Sequence, residues 1–258
     1  MNLNRIFPAL AGLAIFICPF QIALEAQAPL RIAAAADLEP VLPPILEQFQ
    51  ASTGLHTEVT YKDSAMLTAQ ILNGAPFDLF LSADMGYPKR LIAAGMASEA
   101  SPILYAKGTL VLWKRKDSPL PQPSLELLQN PGLKKLAIAD PQRAPYGRAA
   151  VASLASLKLY SALKPRLAIA ENIAQAAQFV DSGNADAGLI SLTSALTPRL
   201  SADGRYFLMP RNLYPPIEQG AVVVKSSSQQ AGAHKLLNFL LSAPVQAQLA
   251  KSGLTPAR

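Results

Sequence analysis

An α/β fold with largely parallel sheets, organised as two lobes, is what this sequence predicts, and three observations predict it. Apolar runs of strand length alternate with segments of helical period through most of the chain, the pattern of parallel strands joined by covering helices. Two segments, one around Gly108 and one from Leu213 to Lys225, read as strands that cross between lobes. Polar or small residues also stand repeatedly where a strand-like run gives way to a helical one, the point at which a helix leaves its first backbone N–H groups without partners.

Taken in order, residues 1–28 carry Arg5, an apolar run from Ile6 to Phe20 and then small residues, the layout of a secretory signal peptide. The run is too short to span a membrane comfortably, so a mature chain free in the periplasm is expected. Ala26-Gln27-Ala28 fits a cut after Ala28, while Pro29 disfavours it and keeps a cut after Ala26 open. Cys18 follows Phe16 and Ile17, which are too bulky for the small-residue box that precedes a lipidated cysteine.

The strand-like LRIAAAA, from Leu30, leads into LEPVLPPILEQFQAS; HTEVTY, from His56, into AMLTAQILNG; FDLFLSA, from Phe77, into GYPKRLIAAG. The segment from Leu104 to Lys116 reads as one long strand in which Gly108 marks the first crossing. Ser118 to Ser124 is a Pro-rich surface loop, and LAIAD, from Leu136, then leads into YGRAAVASLASL. After the second crossing, KLLNFLLSAPVQAQLAKSG returns as one or two helices. Two crossings divide the mature chain into a first lobe of residues 29–107 plus 215–258 and a second of residues 108–214. No internal repeat competes with this layout.

Composition narrows the function. A hydrophobic fraction of 50% against 16% charged residues suits a well-cored globular protein. The net charge of +6 is scattered, its densest group being Lys114, Arg115 and Lys116. Without a basic face interleaved with aromatics, nucleic acid is not an expected partner, and the field instead assists encounter with a small anion. Cys18 is the only cysteine and leaves with the leader, so neither a disulfide nor a Cys metal site is expected.

No His-Glu-x-x-His, Gly-x-Ser-x-Gly, phosphate-loop or Gly-x-Gly-x-x-Gly motif is present. His56 and His234 stand in no recognisable constellation, and Asp78 and Asp84 read as turn and helix caps rather than as an acid/base pair. The chain is expected to be neither an enzyme nor a carrier of a cofactor.

The junctions hold the candidate site. Asp37, Ser64, Tyr146 with Gly147, and Asn172 each precede a helical segment. Each is individually an ordinary cap, yet several converging helix starts would form an anion pocket that needs no net protein charge.

AAAADL, YKDSAMLTAQILNGAPFDLFLSAD, ADPQRAPYGRAAVASL, ENIAQAAQFVDSGNADAGLI and YPPIEQGAVVV resemble the periplasmic molybdate-binding proteins, the ModA group of ABC-importer substrate-binding proteins. GAPFDLFLSAD and DP-x-x-x-P-x-G-x-x-A are the more specific of these motifs. The resemblance implies a type II periplasmic binding protein fold, two lobes of mostly parallel sheet on a two-stranded hinge. It further implies a monomer that closes over molybdate or tungstate and delivers it to an ABC permease in the inner membrane. Carried over by position, the family's first serine falls on Asp37 and its second on Ser64. Its second-lobe backbone donors fall on Tyr146 and Ile173, and its anion-binding tyrosine on Ser191.

Asp37 and Ser191 depart from the pattern, and Asp63 adds a second carboxylate beside Ser64. Two unit charges 4 Å apart at an effective dielectric near 20 repel by about 4 kcal/mol, more than one hydrogen bond supplies. Asp37 therefore caps its own helix and offers only its backbone N–H, or binds protonated, or faces a different ligand; the first is the expectation. The alternatives are a same-fold binding protein for another solute, one with a cationic group included, and a periplasmic hydrolase.

Overall fold

In the first strand, β1 (Leu30–Ala35), every residue except Arg31 is buried, as small apolar side chains between two layers of helix allow. The computed structural model describes residues 28–257. The signal-peptide expectation, Cys18 included, lies outside the described residues except for Ala28.

After β1 come α1 (Leu42–Thr53), β2 (Thr57–Lys62), α2 (Ser64–Leu72), β3 (Leu79–Leu81), α3 (Gly86–Ala93), β4 (Ile103–Gly108) and β5 (Leu110–Arg115). The middle of the chain forms β6 (Leu136–Ala139), α4 (Pro145–Ser156), the single-turn α5 (Tyr160–Leu163), β7 (Leu167–Ala170), α6 (Ile173–Asp181), β8 (Ala187–Ser191), α7 (Leu192–Ala195), α8 (Pro198–Asp203) and β9 (Gly204–Leu208). It closes with β10 (Ile217–Val223), α9 (Gln230–Leu240), α10 (Ala243–Lys251) and the short β11 (Thr255–Pro256).

The strands form two sheets, ordered β11-β4-β10-β3-β1-β2 and β7-β6-β8-β5-β9, so the fold is a two-lobed α/β fold. The sheets are mixed rather than mostly parallel. β1 runs parallel to β2 and β3, and β6 to β7 and β8, whereas β10 is antiparallel to β3 and β4, and β5 to β8 and β9. Direction of entry explains this. A parallel neighbour is reached through a crossover helix, but β5 and β10 enter their sheets from the other lobe and must run away from the boundary that their neighbours run towards.

Both crossings are visible as connections. β4 ends at Gly108 in the first sheet and β5 begins at Leu110 in the second, so the single long strand read from the sequence is two strands divided at Thr109. β9 returns through a short helical turn at Arg211–Leu213 to β10, where Ile217 stands opposite Gly108. The Leu110 N–H donates to the Tyr214 hydroxyl at 3.2 Å and ties the two connections together.

Alternation along β1 feeds two cores in the first lobe. Ile32 and Ala34 pack with α1, α9 and α10 through Leu42, Leu236 and Leu249, while Ala33 packs on the other face with Leu67, Phe80 and Leu91. The second sheet has its own core around Trp113, Ile138 and Leu189, and it reaches across the boundary to Ala35, Ala36 and Ala83.

Candidate functional site

Four strand-to-helix junctions face one another across the boundary. Asp37 follows β1, Asp63 precedes and Ser64 opens α2, Pro145 and Tyr146 open α4, and Asn172 precedes and Ile173 opens α6. Together with Ala35, Ala36, Lys62, Ala83 and Ala144 they line a closed cavity of about 10 Å³. That lies far below the roughly 300–1,000 Å³ of clefts for drug-sized molecules, so the lobes are shut tightly around a space that only a small ligand would share. Of the five expected site residues, Asp37, Ser64, Tyr146 and Ile173 line this cavity and Ser191 does not.

Local sequence explains each wall. Asn172 caps α6 by accepting from the Gln175 N–H at 3.0 Å, which leaves Ile173 at the first helical position with its N–H outside the ladder. Pro145 occupies the first position of α4, where its missing N–H costs nothing. Gly147 allows α4 to start against β6, since a Cβ there would stand 2.3 Å from the Ala139 carbonyl oxygen.

At α2 the capping residue is Asp63, not Ser64: its Oδ1 accepts from the Met66 N–H at 2.8 Å. Ser64 is released from capping. Its Oγ accepts from the Ala83 N–H at 3.1 Å, an arrangement that leaves the hydroxyl hydrogen for the cavity.

Asp37 corrects the expectation that its carboxylate caps its own helix. It sits within a short helical turn, Ala36–Leu38, and α1 starts later, after Val41, with no side-chain cap. The turn carries the carboxylate into the lobe boundary instead. Asp37 Oδ2 accepts from the Tyr146 hydroxyl at 3.0 Å and from Gln219 Nε2, and Oδ1 is buried without a partner. Burial pushes its pKa up to about 6 although the Gln219 and Tyr146 bonds pull it down. Burial first, and then the Asp37 charge, push the Tyr146 phenol well above its ordinary range.

Ser191 lies outside this cavity. It caps α7, and its Oγ is held by the Ser194 N–H at 3.2 Å, the Thr193 hydroxyl at 2.9 Å and the Ser194 hydroxyl at 2.9 Å. The phenol that reaches the site belongs to Tyr146.

Several contributors escaped the sequence reading. Arg143 of the second lobe donates to Asp63 Oδ2 at 2.8 Å, Arg148 pairs with Asp84, and the Tyr87 hydroxyl donates to the Arg143 carbonyl at 3.0 Å. Thr193 donates to the Asp37 carbonyl oxygen at 2.8 Å. These contacts all join one lobe to the other, so the structure is closed. Arg143 and Arg148 lie inside the ADPQRAPYGRAAVASL motif; nothing local signals Gln219. Asp84 also accepts from the Tyr87 N–H in the first turn of α3 at 3.0 Å, and Asp78 joins Arg31 N, at 2.7 Å, to the Ser227 hydroxyl. Neither Asp78 nor Asp84 lines the cavity, and no group of His, Cys, Asp and Glu among the described residues is placed to hold a metal ion.

Two lobes on paired connections, closing helix starts over a small cavity, define the class as a solute-binding protein. Residues 30–255 match the family described as bacterial extracellular solute-binding protein. The chain is 35% identical over 239 residues to the molybdate-binding protein ModA of Azotobacter vinelandii, covering 93% of this chain and 92% of that one. It is 35% identical over 231 residues to the ModA of Rhodobacter capsulatus, covering 89% and 90%. The solved periplasmic molybdate-binding protein of Azotobacter vinelandii superposes with a TM-score of 0.84 at 32% identity over 89% of this chain and all of that one. The chain belongs to the ModA family of bacterial extracellular solute-binding proteins.

Proposed function

We propose that this protein captures molybdate or tungstate between its lobes outside the cytoplasmic membrane and delivers it to an ABC permease. The observation that carries the reading is the convergence of the α2, α4 and α6 starts, with the Ser64 hydroxyl, on one small cavity walled by both lobes. Backbone N–H groups at helix starts point at an anion and place the positive end of the helix dipole on it, so the backbone itself can hold a dianion. The ModA names of the relatives support molybdate as the oxyanion. Each protein wall comes from a different lobe, so ligand occupancy favours closure through its better contacts in the closed form.

The reading makes the protein a monomeric carrier and not an enzyme, working in the periplasm. Asp63, the second carboxylate at the site, is compatible with an anion because Arg143 neutralises it. A thermal-shift panel of molybdate, tungstate, sulfate, phosphate and amino acids tests the reading. A ligand that binds only the folded state adds about 2.7 kcal/mol at a hundred times its Kd, so molybdate and tungstate are expected to raise Tm and amino acids to leave it unchanged. A Tm raised by an amino acid and by neither metal oxyanion would refute it.

A further inference from the structure

Asp37 is a carboxyl group in the wall of an anion cavity, and its surroundings supply it with donors but no cation. From β10, Gln219 donates to Oδ2; from α4, Tyr146 does the same. From α7, Thr193 engages only the backbone carbonyl. Tyr105 on β4 stands near enough for the Asp37 charge to raise its phenol further above the ordinary range, after burial. On the β2–α2 side the charged groups lining the cavity are Lys62 and Asp63, and Asp63 is already paired with Arg143. The α6 start contributes Asn172 and Ile173, neither of them titratable. Among the described residues no Lys, Arg or His forms a salt bridge with Asp37.

With Oδ2 occupied by two donors, Oδ1 is left buried with no partner. A buried charged oxygen without a hydrogen bond is costly, and a dianion beside it adds repulsion. A proton on Oδ1 removes both costs at once. It also converts the only acceptor-only side chain without a cation in this wall into a donor.

We infer that Asp37 holds the oxyanion as the neutral acid: Oδ1 carries a proton in the loaded, closed protein and donates it to the anion, so that capture takes up one proton from solution. The inference rests on the oxyanion reading above. Closure is what couples the two events, because Tyr146 and Thr193 belong to the lobe opposite Asp37, and separating the lobes returns water to the carboxylate and lets it ionise.

Asp37→Asn supplies the test, since the amide oxygen keeps the Tyr146 and Gln219 bonds while the amide nitrogen permanently replaces the acid O–H. Molybdate is titrated calorimetrically at pH 7.5 in two buffers of different ionisation heat, and its Kd is followed from pH 6.5 to 8.5. The wild type is expected to take up close to one proton, with Kd weakening by up to roughly tenfold per pH unit as linkage of one proton requires. The Asn variant is expected to take up none and to show a flat profile; protonation of molybdate itself is common to both proteins and cancels in the comparison.

Molybdate binding by the wild type without proton uptake overturns the inference and leaves the oxyanion reading standing; uptake of equal size in both proteins does the same. A preference at pH 8 for hydrogen phosphate, which brings its own O–H donor to an ionised Asp37, also overturns it. Failure of the wild type to bind molybdate or tungstate at any of these pH values refutes the oxyanion reading, and this inference falls with it. If the Asn variant does not fold, a wild type without proton uptake still overturns the inference, and Asp37→Ser, which also removes the carboxyl, takes its place in the comparison.

Discussion

The Tyr146 hydroxyl and Asp37 Oδ2 meet at 3.0 Å across the lobe boundary, directly over Gly108. A Cβ at position 108 would stand 2.2 Å from that hydroxyl oxygen and 3.1 Å from Ile217 Cγ2. The first crossing point is therefore also the floor on which the phenol rests. Gly108 is needed there for close approach, not for an unusual backbone angle.

Gly108→Ala is expected to strain the closed form specifically. Overpacking of this kind costs about 1–3 kcal/mol, which corresponds to a loss of about fivefold to 150-fold in ligand affinity. Calorimetric titration checks this, and an unchanged Kd would contradict the packing account.

Ser64→Ala and Ser191→Ala separate the two serines by role. Ser64 offers a hydroxyl hydrogen to the cavity, and a hydrogen bond to a charged partner contributes about 1.5–3 kcal/mol, so affinity should fall by about ten- to 150-fold. Ser191 serves only its own turn, where loss of a cap costs about 1 kcal/mol of stability, and its Kd should stay within about twofold. The opposite ranking of the two Kd values would restore Ser191 to the site.

Arg143→Met removes the cation from Asp63, whose side chain is fully buried while that of Arg143 is 35% exposed. Breaking a buried pair costs several kcal/mol, and solvent at the arginine reduces the effect to about 1 kcal/mol. The pair joins the two lobes, so the loss should appear as a severalfold faster ligand release, measured by stopped-flow fluorescence, with association barely altered. A change confined to association would show that the pair does not hold the closed form.

Much of this arrangement was legible in the sequence, and for physical reasons. The small apolar run at Leu30 and the alternation that follows it specify strands covered by helices, and Asn172 is a cap because an amide oxygen at a junction has few better uses. Asp37 was misread because a cap and a buried interlobe acceptor look alike locally; only Tyr146, 109 residues away, and Gln219, 182 residues away, distinguish them. Ser64 was assigned the cap that Asp63 makes, one position earlier, since either side chain can accept from a helix N–H. The mixed sheets were hidden because strand direction depends on which lobe a strand enters from, and no local pattern records that.

The Asp37 carboxyl makes stability depend on pH in a definite direction. Its folded pKa of about 6 lies above the ordinary 3.8, so the folded protein binds the extra proton between those values and loses stability as pH rises through them. Two units correspond to about 3 kcal/mol. Asp37→Asn should therefore gain stability relative to the wild type by up to about 3 kcal/mol on going from pH 4 to pH 7.5. Urea unfolding at the two pH values measures it, and an equal difference at both would show that the carboxyl is not held in a buried closed form.

The central claim is that one oxyanion sits among the α2, α4 and α6 starts. A crystal structure of the protein grown with molybdate, with anomalous scattering used to locate molybdenum, tests it most directly. The account predicts a single strong peak inside the cavity, with Ser64 Oγ and the backbone nitrogens of Tyr146 and Ile173 among its oxygen partners and Asp37 beside it. A peak elsewhere on the protein, or an empty cavity at saturating molybdate, would contradict it.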